Sequence, residues 1–600
     1  MTRRTQLGII LATLAALGLV APTVGASAAP RPTEKTPVAI GVGGAVATVD
    51  SDATQVALDV LRHRGNAVDA AVAAAATLGV TEPYSAGLGG GGFFVYYDAA
   101  SRRVFTIDGR ETAPQAMQED AFVENGAPIP FAEAVTSGLS VGVPGTPATW
   151  EEALDRWGTL SLEQALRGAA RVAASGFAVD ATFVEQTAGN AARFRDFTST
   201  RELFLPGGDL PEEGSIFRNP DLARTYAELG ARGVDWLYRG PLGQDVVATV
   251  KAPPVDPAST RNVRPGLMAT SDLAAYDAPL RPPTNVSYRG LDVYGMAPPS
   301  SGGSTVGEAL NILELSDLGS LPRAQALHRY LEASALAFAD RNRYVGDSDF
   351  VDVPLRQLLS DGFAAERACQ IDPARALVKP VPPGVPDGSY AGCASAAAGR
   401  SADSGLSTTH LTVADRWGNV VAYTLTIEQT GGSGIVVPNR GFLLNNELTD
   451  FNFTPTQGDA PDPNLPAPGK RPRSSMSPTI VLEDGAPLLA LGSPGGSTII
   501  TTVLQTLTNR LDLGYSLPAA IAAPRATQRN TAAVQAEPAF RATPEAAELA
   551  ALGHVFAPNP EIGAATGVEF LPDGRLLAAA EPVRRGGGSA GVVQPAGGDQ

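Results

Sequence analysis

The chain is short of the side chains that most often carry catalysis and metal binding. Its 600 residues include only four histidines (His63, His328, His410, His554) and two cysteines (Cys369, Cys393), and neither H-E-x-x-H nor C-x-x-C occurs. A zinc-protease helix and a thiolate-rich metal site are thereby excluded. Positive charge is also in deficit, with Lys+Arg 45 against Asp+Glu 62 and a net charge of −17. That balance disfavours nucleic acid or an anionic membrane as partner. Beyond the first twenty residues no apolar run is long enough to span a bilayer, and no internal repeat marks a solenoid. Catalysis would have to run on hydroxyls, carboxylates and backbone, with neither metal nor organic cofactor expected.

What is present is enough for a large folded core. With 44% hydrophobic residues and a mean hydropathy of +0.00, wholesale disorder is ruled out. Residues 1–28 read as a secretory signal: Arg3-Arg4 precede the apolar stretch Leu7 to Val20, and Ala26-Ser27-Ala28 offers a cleavage site. Removing them takes two arginines and no acids, so the net charge becomes −19. The expected product is secreted, periplasmic if the host has an outer membrane, and free of the membrane once the signal is gone. In that compartment Cys369 and Cys393 either form one disulfide or remain two buried thiols.

Along the chain, Asp52 to Gly65 predicts a helix with Val56, Val60 and Leu61 on one face and Gly65 as its stop. An alanine-rich helix is predicted over Ala67 to Leu78, followed by the glycine run Gly87 to Gly92 and a strand Phe93 to Tyr97. Further helices are predicted over Thr149 to Trp157, Ser161 to Ser175 and Arg323 to Asp340. From Lys379 to Gly405 prolines, glycines and serines leave almost nothing to bury, which predicts an exposed linker. The Gly-rich end from Arg584 onward predicts a disordered tail.

Two strings imitate known motifs. Gly87-x-Gly89-x-x-Gly92 matches a dinucleotide fingerprint, but that fingerprint needs strand, glycines, then helix, and the order here is reversed. Gly138-Leu139-Ser140-Val141-Gly142 matches a nucleophile elbow, yet Pro144 and Pro147 obstruct the helix that must follow.

The informative segment begins where the linker ends. A β-branched, alternating run from Thr408 to Asp415 enters Arg416-Trp417-Gly418 and returns through Asn419 to Ile427, a hairpin signal with glycine where positive φ is wanted. If Asp415 faces Asn419, stepping back along both strands places Thr426 opposite Thr408. Side chains so opposed lie about 4.5–5.5 Å apart at Cβ, within reach of a hydroxyl–hydroxyl contact.

Several long segments, in this order, resemble the γ-glutamyltransferases. They are Gly65 to Ala71, Gly87 to Phe93, Asp108 to Pro114 and Pro298 to Gly303 in the first part of the chain. In the second part they are Thr408-Thr409-His410, Asn445 to Phe451, Lys470 to Pro478 and Gly492 to Ser497. The resemblance runs from about Ala45 to Pro582. It implies the N-terminal-nucleophile hydrolase fold, an α+β four-layer αββα sandwich built jointly from two subunits of one precursor. It also implies a cut between Ser407 and Thr408, giving a large subunit 29–407, whose segment 379–407 is the flexible linker, and a small catalytic subunit 408–600. The new amino terminus, Thr408, would carry both a nucleophilic hydroxyl and an α-amine whose unperturbed pKa of about 7.7–8.0 lets it act as base. His410 need not be catalytic.

By the same resemblance Thr426 hydrogen-bonds the nucleophile and the amides of Gly495 and Gly496 hold the oxyanion. Arg110 with Ser474 and Ser475 would bind the α-carboxylate of a γ-glutamyl group, and Glu428, Glu447 and Asp450 its α-ammonium. The expected partners are glutathione-like γ-glutamyl compounds, amino-acid or peptide acceptors, and the chain's own two subunits as a heterodimer. The chain departs from the family pattern in places. Acids stand at 428 and 447 where many members have Asn and Gln, and Arg64 stands where glycine is usual. The segment Gln457 to Gly469 is short, Pro-rich and without the aromatic cap of some relatives, so a more open site is expected. A cephalosporin or glutaryl acylase on the same scaffold is the competing reading, disfavoured by the three acids. An inactive binding protein would need the Thr408 machinery idle, and no residue is missing from it.

Overall fold

The computed structural model describes residues 34–390 and 407–595; the predicted signal peptide lies outside the described residues. Helix α1 (Ser51–Arg62) starts where the Asp50 carboxylate accepts the Ala53 N–H at 2.9 Å. It ends at His63, and the left-handed residue that follows is Arg64 (φ +74°), not the expected Gly65. Gly65 serves a different need: a Cβ there would lie 2.4 Å from Val60 Cγ1. Helix α2 (Ala67–Thr81) opens with a capping box between Asn66 and Asp69, and all of its residues are buried. Its alanines let it lie close against its neighbours. Helices α3 (Thr146–Trp157), α4 (Leu162–Ser175, with Ser161 as N-cap) and α5 (Ala181–Phe194) complete this side of the molecule.

The centre is one antiparallel sheet of thirteen strands. In chain order they are β1 (Val38–Thr48), β2 (Gly91–Asp98), β3 (Arg103–Gly109), β4 (Leu280–Arg281), β5 (Thr284–Tyr288) and β6 (Leu291–Gly295). After residue 407 come β7 (Thr409–Asp415), β8 (Val420–Thr426), β9 (Thr479–Glu483), β10 (Ala486–Gly492), β11 (Thr566–Phe570), β12 (Leu576–Ala580) and β13 (Ser589–Pro595). The spatial order is β4-β3-β2-β8-β7-β1-β12-β11-β10-β9-β6-β5, with β13 also on β1. Strands from before and after residue 407 therefore interleave, and β7 and β8 sit between β1 and β2.

Both faces of these central strands are buried. Phe94, Tyr96, Leu411, Val413, Val421 and Tyr423 belong to one core, with α1 to α4. The intervening residues Phe93, Val95, Ala414, Val420 and Ala422 belong to a second core with Ile480, Val481, Leu489 and Leu491 of the other half of the sheet. The period of two sends alternate side chains to opposite faces. Because each face meets another layer, the strands read as nearly unbroken apolar runs. Helices α6 (Gly302–Glu314), α7 (Arg323–Tyr344) and α8 (Thr498–Leu511) close the far side of the second core. The result is helix, sheet, sheet, helix, the four-layer αββα sandwich.

Two expectations from composition are corrected. The tail from Arg584 is ordered as far as Pro595: β13 pairs with β1 from Gly41↔Pro595 to Thr48↔Ser589. Arg584 bonds Glu581 and Glu537. Backbone pairing supplies what a Gly-rich sequence cannot advertise through its side chains. The linker is also docked over its first residues. The Lys379 ammonium pairs with Glu332, Val381 is buried with its N–H on Asn530 at 2.7 Å, and the Gly384 N–H reaches Asp340 at 2.5 Å. Cys369 is disulfide-bonded; Cys393 lies outside the described residues, as do 391–406 and 596–600.

Candidate active site

The hairpin forms in the expected register. Thr409 faces Leu425 and Ala414 faces Val420, Asp415 N–H bonds Asn419 O at 3.0 Å, and Gly418 takes φ +88°. Continued by one residue, that register brings Thr408 Oγ1 to 3.3 Å from Thr426 Oγ1. Both hydroxyls converge on the carbonyl oxygen of Ser407, Thr426 donating at 3.1 Å and Thr408 closer still. Ser407 is itself held: its N–H donates to Glu428 O at 3.2 Å and its hydroxyl to Tyr84 O at 3.1 Å. Ser407 and Thr408 are both buried. The glycine run packs this strand end, since a Cβ on Gly90 would lie 2.0 Å from Thr426 O; close backbone approach is its use. His410 points elsewhere, with its ring nitrogens on Thr424 and Thr412 at 2.8 and 3.1 Å. Burial pushes its pKa down to about 3.

A pocket of about 370 Å³ opens beside Thr408 and gathers most of the predicted residues. Arg110, Ser407, Thr426, Glu428, Glu447, Asp450, Ser474, Ser475 and Gly496 all line it. Gly495 adjoins Gly496; both have positive φ (+133° and +58°). Within the pocket Arg110 pairs with Glu447 and Asp450, so the residue predicted for a carboxylate and two of those predicted for an ammonium hold each other. Burial works against the Arg110 charge, but Glu447, Asp450 and Glu111 outweigh it and raise its pKa. Burial raises Glu447 to about 7 against the pull of Arg110. Glu428 is raised well above the usual carboxylate range by burial, then by Asp450 and Glu447; its positive φ (+77°) and an amide donor from Asn446 fix it.

Other side chains complete the site without having been predicted. Glu111 is fully buried against Arg110, and burial and Glu447 push it well above the carboxylate range. Arg341 donates to Ser475 Oγ and Ser301 Oγ, each at 2.8 Å, which sets the serine loop. Arg585, from the tail expected to be disordered, donates to Thr408 O at 2.6 Å and Ser85 Oγ at 2.7 Å. Glu111 stands within the family-like run Asp108 to Pro114, whereas Arg341 and Arg585 carry no local signal beyond charge near a helix end or next to a glycine. The segment 457–469 lines no part of the pocket. Its Asn464 side chain nevertheless donates to Asp450 O at 2.7 Å and accepts from Arg473 N–H at 2.8 Å, and Asp462 accepts from Thr456 N–H and Oγ1 at 2.9 and 2.7 Å.

The decoy serine is inert: Ser140 is buried and donates to Val135 O and Ser137 O, both at 2.9 Å. His328, Glu332 and His554 form a buried cluster of metal-ligand type. There His328 and His554 hydrogen-bond each other at 2.8 Å and Lys379 pairs with Glu332, so those lone pairs are engaged within the protein.

The αββα layering, with a threonine at the head of a central strand, is that of the N-terminal-nucleophile hydrolases. Comparison with known proteins narrows this. A model of the γ-glutamyltranspeptidase family matches residues 53–591. The glutathione hydrolase proenzyme of Bacillus subtilis (strain 168) is 37% identical over 561 residues, 92% of each chain. That of Bacillus subtilis subsp. natto is 40% identical over 493 residues, 81% of each. Among solved structures, cephalosporin acylase from Bacillus halodurans matches with a TM-score of 0.80 at 28% identity, covering 94% of this chain and 98% of that one. The chain belongs to the γ-glutamyltranspeptidase family.

Proposed function

We propose that the chain is an exported precursor that cuts itself between Ser407 and Thr408 and then hydrolyses or transfers γ-glutamyl groups from glutathione-like amides. The observation that carries this is the convergence of the Thr408 and Thr426 hydroxyls on the Ser407 carbonyl, beside a pocket lined by two arginines, Arg110 and Arg473, and three acids. In the cut, Thr408 Oγ adds to the Ser407 carbonyl carbon while Thr426 donates to the developing oxyanion. The C–N bond then breaks, the hydroxyl proton passes to the departing nitrogen, and an ester is left for water to hydrolyse. The products are a Ser407 carboxylate and a free Thr408 amine, the base for the same hydroxyl in each later turnover. Because β7 and β8 lie between β1 and β2, the pieces 29–407 and 408–600 would stay together as a heterodimer.

A γ-glutamyl group brings one carboxylate and one ammonium, and the pocket offers the complement of both. On binding, the substrate carboxylate would replace an acid on Arg110 with help from Ser474 and Ser475, and its ammonium would take up Glu428, Glu447 and Asp450. Inserting a zwitterion exchanges ion pairs without leaving a buried charge alone. The amides of Gly495 and Gly496 would meet the substrate oxyanion. Among the described residues no helix is long and apolar enough to cross a membrane.

An acylase specialised for side chains without an ammonium is the competing reading, and the likeness to cephalosporin acylase favours it. Denaturing gels of the purified protein should show two fragments, the smaller of 193 residues beginning at Thr408. Thr408→Ala should remain one band; continued splitting at that bond would overturn the mechanism. A γ-glutamyl anilide should be cleaved far faster than a glutaryl anilide. Equal rates would remove the ammonium-binding role of the acids.

A further inference from the structure

Thr408 can attack the preceding carbonyl only if Ser407 is turned to present it. Three groups on the Ser407 Cα are held at once. Its N–H donates to Glu428 O at 3.2 Å, and its carbonyl meets the two threonine hydroxyls. The third group is the side chain, whose Oγ lies 3.1 Å from both Tyr84 O and Ser85 Oγ. Without that side-chain contact, the aim of the carbonyl would depend on one N–H bond and on the hydroxyls it reacts with.

The platform under the Ser407 side chain is rigid. Tyr84 is fully buried, with its ring centroid 5.1, 5.8 and 5.1 Å from those of Phe183, Phe194 and Phe204. Its hydroxyl is bonded to Thr187 Oγ1 at 2.6 Å. Ser85, also fully buried, follows the end of α2 in a turn closed by its own N–H on Glu82 O at 2.9 Å. Its hydroxyl accepts from Arg585 at 2.7 Å, and Arg585 donates to Thr408 O at 2.6 Å. Ser85 and Arg585 therefore hold the chain on either side of the bond to be cut.

We propose that Ser85 is a positioning residue for self-cleavage, gripping the Ser407 side chain together with the Tyr84 carbonyl. The precursor is thereby tuned to serine at 407, a residue that leaves the site once the bond is cut. The grip joins neutral groups, so each contact is weak enough to break. Cleavage also turns the Ser407 carbonyl into a carboxylate in a pocket lined by Glu428, Glu447 and Asp450. Like charges at close range favour its departure. The inference rests on the self-cleavage proposed above and adds to it how residue 407 is set.

The test follows newly synthesised precursor on denaturing gels for Ser85→Ala, Ser407→Ala and the two combined. Each single change should slow the cut about tenfold, the effect of losing one buried hydrogen-bond partner. The double variant should be no more than about threefold slower than either, because the two side chains share one contact. Losses that multiply to about a hundredfold would show Ser85 acting through Arg585 or the fold alone, and would overturn the grip. Cleavage at the normal rate in either single variant would overturn it too. Should Ser85→Ala fail to fold, Ser407→Ala by itself must still slow the cut. Turnover of a γ-glutamyl anilide by the fully cut variants separates positioning from general damage. Their kcat/KM should fall several-fold less than the cleavage rate does, whereas an equal fall would overturn the assignment. An unaltered chain that stays uncut would instead overturn the proposed function.

Discussion

The hairpin bearing Thr408 and the C-terminal strand β13 both lie on β1, yet they are specified in different ways. The hairpin closes over three residues, and its register follows from alternation and one glycine. The tail pairs with residues more than 500 positions away, and nothing local in its Gly-rich sequence records the partner. A local element can be deduced from its own residues; a long-range one is defined by what it meets. The candidate site draws on both, since Thr426 comes from the hairpin and Arg585 from the segment leading into β13.

That contrast can be sharpened by removing each contribution in turn. Thr426→Ala deletes a donor on the Ser407 carbonyl, and self-cleavage should slow about 100-fold in a time course on denaturing gels. An unchanged rate would break the link between register and chemistry. Arg585→Ala removes the clamp on Thr408 O, and cleavage should slow about tenfold, with partial rescue by Arg585→Lys. If the tail were merely a cover, lysine would restore nothing that alanine had lost.

The third effect concerns acid. His410 stays neutral in the folded hairpin down to about pH 3, while the unfolded chain takes up its proton near pH 6.5. The unfolded state therefore binds more protons below that pH, and stability falls as pH drops from about 6.5 toward 3. By pH 5 one such histidine costs about 2 kcal/mol. Urea unfolding at pH 7 and pH 5 should show wild type losing about that much more than His410→Asn; parallel losses would show that the ring is charged when folded.

The smallest effect tests the other departure from the family pattern. Arg64 sits at φ +74°, a conformation that glycine adopts freely and that costs other residues about 1–2 kcal/mol. Arg64→Gly should raise stability by about 1 kcal/mol in thermal unfolding, offset in part by the added freedom of the unfolded chain. No gain would mean that the Arg64 side chain compensates its own strain.

Some helices were legible where capping and periodicity coincide, as at Asn66-Asp69 and Ser161, whereas Ala181–Phe194, capped by Asp180, was not read. Their ends were less so: α7 continues past the predicted Asp340 to Tyr344, and that extra turn carries Arg341, which positions Ser475. In the pocket the predicted residues do meet, but their pairing was not legible. Spacing could not reveal that Arg110 lies against Glu447 and Asp450, because the contact crosses more than 300 residues.

The sequence by itself determined the chemistry available to this protein: few histidines, no thiolate pair, and a threonine placed by a short hairpin opposite a second threonine. It determined the family as well, because long motifs in a fixed order leave little choice. Tertiary structure decided which charges neutralise one another, and that a glycine-rich tail holds the Thr408 carbonyl. The reason is range. Alternation, caps and tight turns act over a few residues, whereas burial and ion pairing depend on distances that only the folded chain sets.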